Sequence, residues 1–168
     1  MKIIALDPGY DRCGLAVVTR TETGKETLLA SSCITTNKND LFEERLLVVA
    51  KEFREWLLHH KPDVCVLENL FFATNQKTAM RVAEARGALI LTATELGVPI
   101  REFTPKQVKI AVTGDGGATK KQMILMIPKL IHLPTKIQYD DEYDAIAIGL
   151  TASATFSSLA GFEHYPHA

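Results

Sequence analysis

Residues Lys2-Ile3-Ile4-Ala5-Leu6-Asp7-Pro8-Gly9 constrain this chain more than any other stretch. Ile3 to Leu6 is an unbroken apolar run of strand length, the pattern of a strand buried on both faces. It ends on a single carboxylate, and Pro8-Gly9 then turns the chain. An Asp ahead of Pro-Gly is a common way to open a turn. Open α/β sheets also hold their ligands outside the carboxyl ends of strands, where Asp7 stands. Val64-Cys65-Val66-Leu67 repeats the form and ends on Glu68, so a second strand delivers a carboxylate to the same kind of position.

Between and after these two runs the pattern predicts a mixed sheet. Gly9 and Gly14 bracket a turn over residues 8–13, and Leu15–Val18 reads as a second strand. A polar stretch at 21–25 with Gly24 reads as a hairpin, leading to a third strand over 27–35. Asn37–Asp40 offers capping residues for a helix over 41–60, whose apolar positions are Leu46, Val49, Phe53, Trp56 and Leu57. After the strand ending on Glu68, a helix runs from about 75 to 95, with Ala83, Ala85, Gly87 and Ala88 forming a small face suited to close packing on the sheet. A short strand over 98–103 follows. Thr104-Pro105 opens a short helix and Thr119 caps another over 120–131, with Pro128 as its kink or end. The last helix begins near Tyr139 and carries Ala145, Ile146, Ala147, Ile148 and Leu150 into the core. The expected architecture is α/β: a five-stranded sheet, antiparallel across the first three strands and parallel thereafter, with helices on both faces. Residues 1–158 form one domain and residues 159–168 a flexible tail.

With 168 residues, 46% of them apolar, the chain can bury a full core without staples. No apolar run approaches the ~20 residues of a membrane span. Cys13, Cys33 and Cys65 are odd in number and scattered; this argues for reduced thiols in the cytoplasm, without a disulfide frame or structural zinc. The net charge is −1, but its distribution is uneven. Residues 73–136 hold 10 Lys/Arg against 4 Asp/Glu, and residues 137–168 hold none against 5. A basic middle and an acidic late segment suit a protein that grips phosphates with one and metal with the other.

Four carboxylates stand out: Asp7, Glu68, Asp141 and Asp144. A crossover makes the first and fourth strands parallel neighbours, which sets Asp7 beside Glu68. Asp141 and Asp144, three apart on a helix, face the same way. Like charges so gathered raise one another's pKa unless a cation joins them. An all-oxygen set points to Mg²⁺ or Mn²⁺, and two such ions ~3.5–4 Å apart suit phosphodiester cleavage. Asp140 shares a face with Asp144 at four-residue spacing, so either Asp140 or Asp141 can supply the third ligand.

Six motifs in register resemble the RuvC-type Holliday junction resolvases, a branch of the RNase H-like nucleases. They are Ala5-Leu6-Asp7-Pro8-Gly9 with Gly14, Leu67-Glu68-Asn69 with Phe71, and Ala85-Arg86-Gly87. Next come Gln107-Val108-Lys109 and the run from Gly114 through Gly116, Ala118 and Lys120 to Gln122. The last is Asp141-x-x-Asp144-Ala145-x-Ala147-Ile148. The resemblance covers residues 2–150 and implies an RNase H-like fold with Asp7, Glu68, Asp141 and Asp144 as the catalytic, metal-binding set. It implies a homodimer that resolves four-way DNA junctions by paired symmetric nicks, a symmetry a C₂ dimer matches. A branch-migration motor complex is a further partner. Phe71 matches the aromatic that reaches opened bases, where stacking is worth ~1–3 kcal/mol. Lys109 and Lys120 match basic residues near the scissile phosphate, with Lys121 as the alternative to Lys120. Arg86 contacts phosphate or pairs with a carboxylate, and Lys77, Arg81 and Lys106 add general phosphate contacts. The turn Tyr10-Asp11-Arg12-Cys13 and the run Asp140-Asp141-Glu142-Tyr143-Asp144 depart from the usual pattern, both toward more charge.

Three other readings share parts of this pattern. An RNase H-like nuclease of structured RNA would carry the same Asp7 and Glu68, but the Phe71, Lys109 and Lys120 matches argue against it. An actin-like ATPase needs two such domains. A non-catalytic junction-binding scaffold is expected to have lost a carboxylate, and all four are present.

Overall fold

The computed structural model describes residues 1–21, 24–69, 76–133 and 137–158. The strands in chain order are β1 (Lys2–Asp7), β2 (Arg12–Arg20), β3 (Glu26–Thr35), β4 (Val64–Glu68) and β5 (Ile100–Phe103). The helices are α1 (Phe42–His60), α2 (Gln76–Glu95), α3 (Pro105–Thr113), α4 (Lys120–Leu130) and α5 (Asp140–Ser158). The opening apolar run becomes the central strand of a sheet ordered β3-β2-β1-β4-β5. β1 pairs antiparallel with β2 and parallel with β4; β3 lies antiparallel to β2, and β5 parallel to β4. This is the mixed sheet expected, and β1 has a neighbour on each side, which is why it is apolar throughout.

Alternation along the strands divides the core into two layers. Ile3, Ala5, Ala16, Val18, Val64 and Val66 pack under α5, joined by Val108 and Val112 of α3 and Met123 and Ile127 of α4. Ile4, Leu6, Leu15, Val17, Cys65 and Leu67 face the other way, onto Val49, Phe53 and Leu57 of α1 and Leu89 and Ala93 of α2. Helices therefore cover both faces. No described helix is long and apolar enough to cross a membrane. The tail at 159–168 and the pair Phe71 and Phe72 lie outside the described residues.

α5 makes the closest approach to the sheet. A Cβ on Gly149 would stand 2.8 Å from Val18 Cγ2 and 3.4 Å from Ala5 Cβ. Ala145 and Ala152, four before and three after Gly149, are fully buried on the same stripe. Gly14 does the equivalent from the strand side, since a Cβ there would fall 1.9 Å from the Asp141 carbonyl oxygen. Gly14 is thus not the end of a turn, as its spacing from Gly9 suggests. It lies inside β2, which begins at Arg12 because backbone pairing with Thr35 continues beyond the apolar residues.

The turn from β1 to β2 is held by α1 through a residue that the apolar pattern passes over. Arg45 takes the buried position one turn ahead of Val49, Phe53 and Leu57, and Leu46 is only partly buried. Its guanidinium pairs with Asp11, and its Nε donates to Thr36 Oγ1 at 2.9 Å. Thr36 in turn donates from Oγ1 to the Tyr10 carbonyl at 2.6 Å and from its N–H to the Asp11 carbonyl at 3.1 Å. A buried guanidinium is tolerated because its donors meet these acceptors.

Capping differs from expectation at one helix and agrees at two. Asn37 and Asp40 bond to each other rather than to α1. Leu41 is the N-cap, and Glu44 accepts its N–H at 3.1 Å. Thr104 and Thr119 cap α3 and α4 as expected, with Gln107 and Gln122 returning bonds to the cap N–H groups at 2.8 Å each. Pro128 neither ends nor replaces the last turn of α4, which runs two residues further. On α2 only Ala85 of the small residues is fully buried; Ala83 and Gly87 face outward, because Leu89, Thr92 and Ala93 share the inner stripe with Ala85.

Gly14→Ala is expected to cost ~1–3 kcal/mol of unfolding free energy in chemical denaturation, as overpacking against a fixed neighbour does. The obstructing atom is backbone and cannot rotate away, so a stability equal to wild type would contradict this packing.

Candidate active site

The alternation that builds the core also aims the carboxylates. Ile3 and Ala5 lie under α5, so Asp7, two residues on, projects to the same side; after Val64 and Val66, so does Glu68. Parallel pairing of Leu6 with Leu67 makes the two neighbours at the carboxyl ends of β1 and β4. Gly14 is the pairing partner of Asp7 on the other side. With the Asp141 backbone seated on Gly14, α5 begins directly over this end of the sheet. Its acidic first turn also meets the positive end of the helix dipole.

These carboxylates are coupled electrostatically, with burial as the largest influence on each that shifts upward. Burial, then Asp144, Asp141 and Glu68 in that order, push Asp7 up to about 8, against the pull of Lys120. Burial and Asp144 raise Glu68, with Lys109 opposing. Burial raises Asp141 against a backbone hydrogen bond and the Arg12 guanidinium. A hydrogen bond from Lys120 holds Asp140 below the usual carboxylate range. The four carboxylates picked out in the sequence thus share one field, and Asp140 stands at its rim.

Two side-chain cations already occupy that field. Lys120 Nζ lies 2.6 Å from Asp140 Oδ2 and 2.7 Å from Asp144 Oδ2. Burial disfavours the Lys120 charge, but these two hydrogen bonds outweigh it and hold the ammonium above its ordinary pKa. Arg12 Nε lies 2.9 Å from Asp141 Oδ2, and its NH2 group 3.4 Å from Asp140 Oδ1. The Arg12–Asp141 approach is an ion pair without hydrogen-bond alignment, so buried Asp141 Oδ2 has a charge beside it and no donor. Among the described residues no three His, Cys, Asp or Glu side chains close into a metal-binding group. Asp144 is turned to Lys120 and Asp141 to Arg12. The donor set still fits a hard divalent cation: it is all carboxylate, and one buried oxygen lacks a donor.

The basic residues divide into those at the site and those away from it. Lys109 and Lys120 line a cavity of about 220 Å³ together with Glu68, Asp144, Pro105 and Val108. The Thr104 and Thr119 capping boxes start the helices that carry these lysines. Lys121, beside Lys120, is exposed and pairs with no carboxylate among the described residues. Lys106 lays its stem along Gly116, whose Cβ would stand 2.9 Å from Lys106 Cγ. Arg81 is exposed and sits over the rings of Phe42 and Tyr10, at 5.1 and 5.9 Å. Arg86 pairs with Glu102 at the neighbouring strand and is largely buried, so of its two expected roles the geometry favours the ion pair. Lys77 belongs to the first turn of α2.

The family model for the crossover junction endodeoxyribonuclease RuvC matches residues 3–152. The chain belongs to the RuvC family. It is 41% identical to RuvC of Thermosipho melanesiensis over 148 residues, 88% of this chain and 94% of that one. RuvC of Pseudomonas putida is also 41% identical, over 94% of this chain and 88% of its own. The solved structure of Thermus thermophilus RuvC superposes with a TM-score of 0.83 at 30% identity, covering 94% of this chain and 97% of that one. The same protein in complex with Holliday junction substrate gives 0.83 at 28% identity, covering 95% and 97%. The fowlpox virus Holliday junction resolvase shares the fold at 17% identity, with a TM-score of 0.60 and coverage of 93% and 99%.

Sequence reasoning left Arg12 without a role, because nothing in its own neighbourhood signals one. Its partners are about 130 residues away and reach it only when α5 docks on β2.

Asp7 has its charged form disfavoured by the fold, which sets the sign of a pH effect. Its folded pKa, about 8, lies above the unfolded 3.8, so metal-free stability falls as pH rises between those values. In EDTA, Asp7→Asn is expected to be as stable as wild type below pH 4 and more stable by a few kcal/mol near pH 8, read by thermal or denaturant unfolding. A difference independent of pH would contradict the burial of Asp7 among carboxylates described above.

Proposed function

We propose that this chain is a divalent-metal-dependent endodeoxyribonuclease that resolves four-way DNA junctions, acting in the cytoplasm as a homodimer that makes two symmetric nicks. The observation that carries the reading is the gathering of Asp7, Glu68, Asp141 and Asp144 in one field, beside Lys109 and Lys120, on a RuvC-family chain. Asp7, Glu68, Asp141 and Asp144 would hold two Mg²⁺ ions, with Mn²⁺ as a substitute. Such ions, when bound, supply activation of water and stabilisation of the leaving oxygen. Asp141 is the better third ligand than Asp140, since it is the less exposed of the two and acts on Asp7.

The chain's own residues do the rest. Lys109 and Lys120, which line the cavity, would serve as point charges for the scissile phosphate, where charge grows in the transition state. Lys120 suits this better than Lys121 because it already reaches Asp144. Lys77, Arg81, Lys106 and Lys121 add phosphate contacts whose strength falls with salt. Arg86 is the weaker DNA contact, given its pairing with Glu102. Phe71 would stack on an opened base. The junction complex of the Thermus protein supports the substrate class. A branch-migration motor is a further partner at the same junction. Three free thiols support the cytoplasm as compartment.

The decisive experiment is nicking of a synthetic mobile four-way junction in Mg²⁺, with linear duplex and RNA hairpin as controls. Paired symmetric nicks on the junction alone are expected, reduced at least ~100-fold by Asp7→Asn, the scale of losing a central electrostatic group. Cleavage of the RNA instead would make the chain an RNA nuclease, and binding without cleavage would make it a scaffold.

The outer stripe of α2 supports the homodimer. Met80 is 66% exposed and Leu91 60%, with Ala83 and Gly87 between them at helical spacing. Two copies meeting there would bury both large side chains against small ones. Leu91→Glu is expected to convert the dimer to monomer in sedimentation analysis and to uncouple the two nicks; an unchanged dimer would place the interface elsewhere.

A further inference from the structure

We propose that Arg12 is a resident counter-ion that competes with the divalent cation for the Asp141 carboxylate. The inference rests on the metal-site reading above and concerns what the site does before metal arrives.

The two partners are unequal in freedom. Asp141 is held by its backbone, which rests on Gly14 with no room for a Cβ between them. Its side chain is 18% exposed. The Arg12 side chain is 45% exposed and stands at the first residue of β2. Its own charge is therefore solvated when it leaves, while the Asp141 carboxylate then needs another cation beside it. The guanidinium carbon also lies 5.7 Å from the centre of the Tyr139 ring, a contact on the exposed rim that needs no carboxylate.

The bond itself is a placeholder. Arg12 Nε sits at ion-pair distance from Asp141 Oδ2, yet no N–H is aligned on that oxygen, which is buried and has no other donor. Arg12 thus lowers the repulsion among the acidic groups without satisfying the oxygen nearest to it. A cation that coordinates the oxygen would do both, and must overcome the Arg12 charge to do so. Arg12 makes the metal-free site less costly to fold and the metal harder to bind, two faces of one interaction energy.

Removing Arg12 should therefore move two measurements in opposite directions. Mn²⁺ binding is measured by electron paramagnetic resonance in wild type, Arg12→Gln, Arg12→Lys and Asp7→Asn, each without DNA. Metal-free unfolding is measured on the same proteins. Arg12→Gln is expected to bind Mn²⁺ about 2- to 5-fold more tightly at low salt, the scale of one partly exposed charge pair, with the gap closing as salt rises. Its metal-free melting temperature should fall. Arg12→Lys should stay near wild type in both. If Arg12→Gln binds Mn²⁺ equally or more weakly, Arg12 is a structural clamp and the proposal is overturned. Asp7→Asn separates that outcome from a failure of the site itself: should it bind Mn²⁺ as well as wild type, the metal-site reading is wrong and the Arg12 proposal goes with it.

Discussion

Mutual repulsion among carboxylates governs this end of the molecule. Burial raises Asp7, Glu68 and Asp141, and neighbouring carboxylates add to each: Asp144, Asp141 and Glu68 at Asp7, Asp144 at Glu68, and Asp140 at Asp141. A fold does not assemble such a group without compensation. Here the compensation is supplied by Arg12 from β2 and Lys120 from α4, each reaching the acidic first turn of α5. The sheet brings two carboxylates, a helix brings two more, and two separate elements bring the cations. The site is an intersection of five elements, β1, β2, β4, α4 and α5.

Precision at that intersection comes from residues without chemistry. Gly14 lets the α5 backbone touch the sheet, and Gly149 lets the same helix lie on Val18 and Ala5 two turns on. Together they set the height of Asp141 above Asp7. Thr104 with Gln107, and Thr119 with Gln122, set where two helices start, and so where Lys109 and Lys120 emerge. Gln107 and Gln122 are family-matching residues whose observed work is capping. Arg45, buried beneath the turn that follows Asp7, fixes that turn through Thr36 and Asp11. The resemblance marks Gly14, Gln107, Lys109, Lys120 and Gln122 alike, and only the contacts separate Gly14 and the two glutamines, which pack or cap, from the two lysines that line the cavity.

Strand order was legible because periodicity and length leave few choices. Two strands buried on both faces, each followed by a carboxylate and joined by a crossover helix, must lie parallel in one sheet. Period two then puts Asp7 and Glu68 on one face once either is placed. The apolar pattern misled where a backbone or a charge replaced an expected contact. Gly14 read as a turn residue although its glycine is needed for a helix more than a hundred residues later. Leu46 read as core in place of Arg45, because hydrophobicity carries no sign of a buried guanidinium with all its acceptors in reach.

By itself the sequence determined the element order, the parallel pairing of the strands that end on Asp7 and Glu68, and the four carboxylates that the fold brings to one end of the sheet. Local patterning and strand geometry suffice for these. Tertiary structure alone decided which late acidic residues act on Asp7, which of two adjacent lysines reaches Asp144, and that Arg12 pairs with Asp141. Those outcomes depend on where α5 lands on the sheet and on which cation lies within ion-pair distance. Such distances are set by packing between residues far apart in the chain, and no local pattern encodes them.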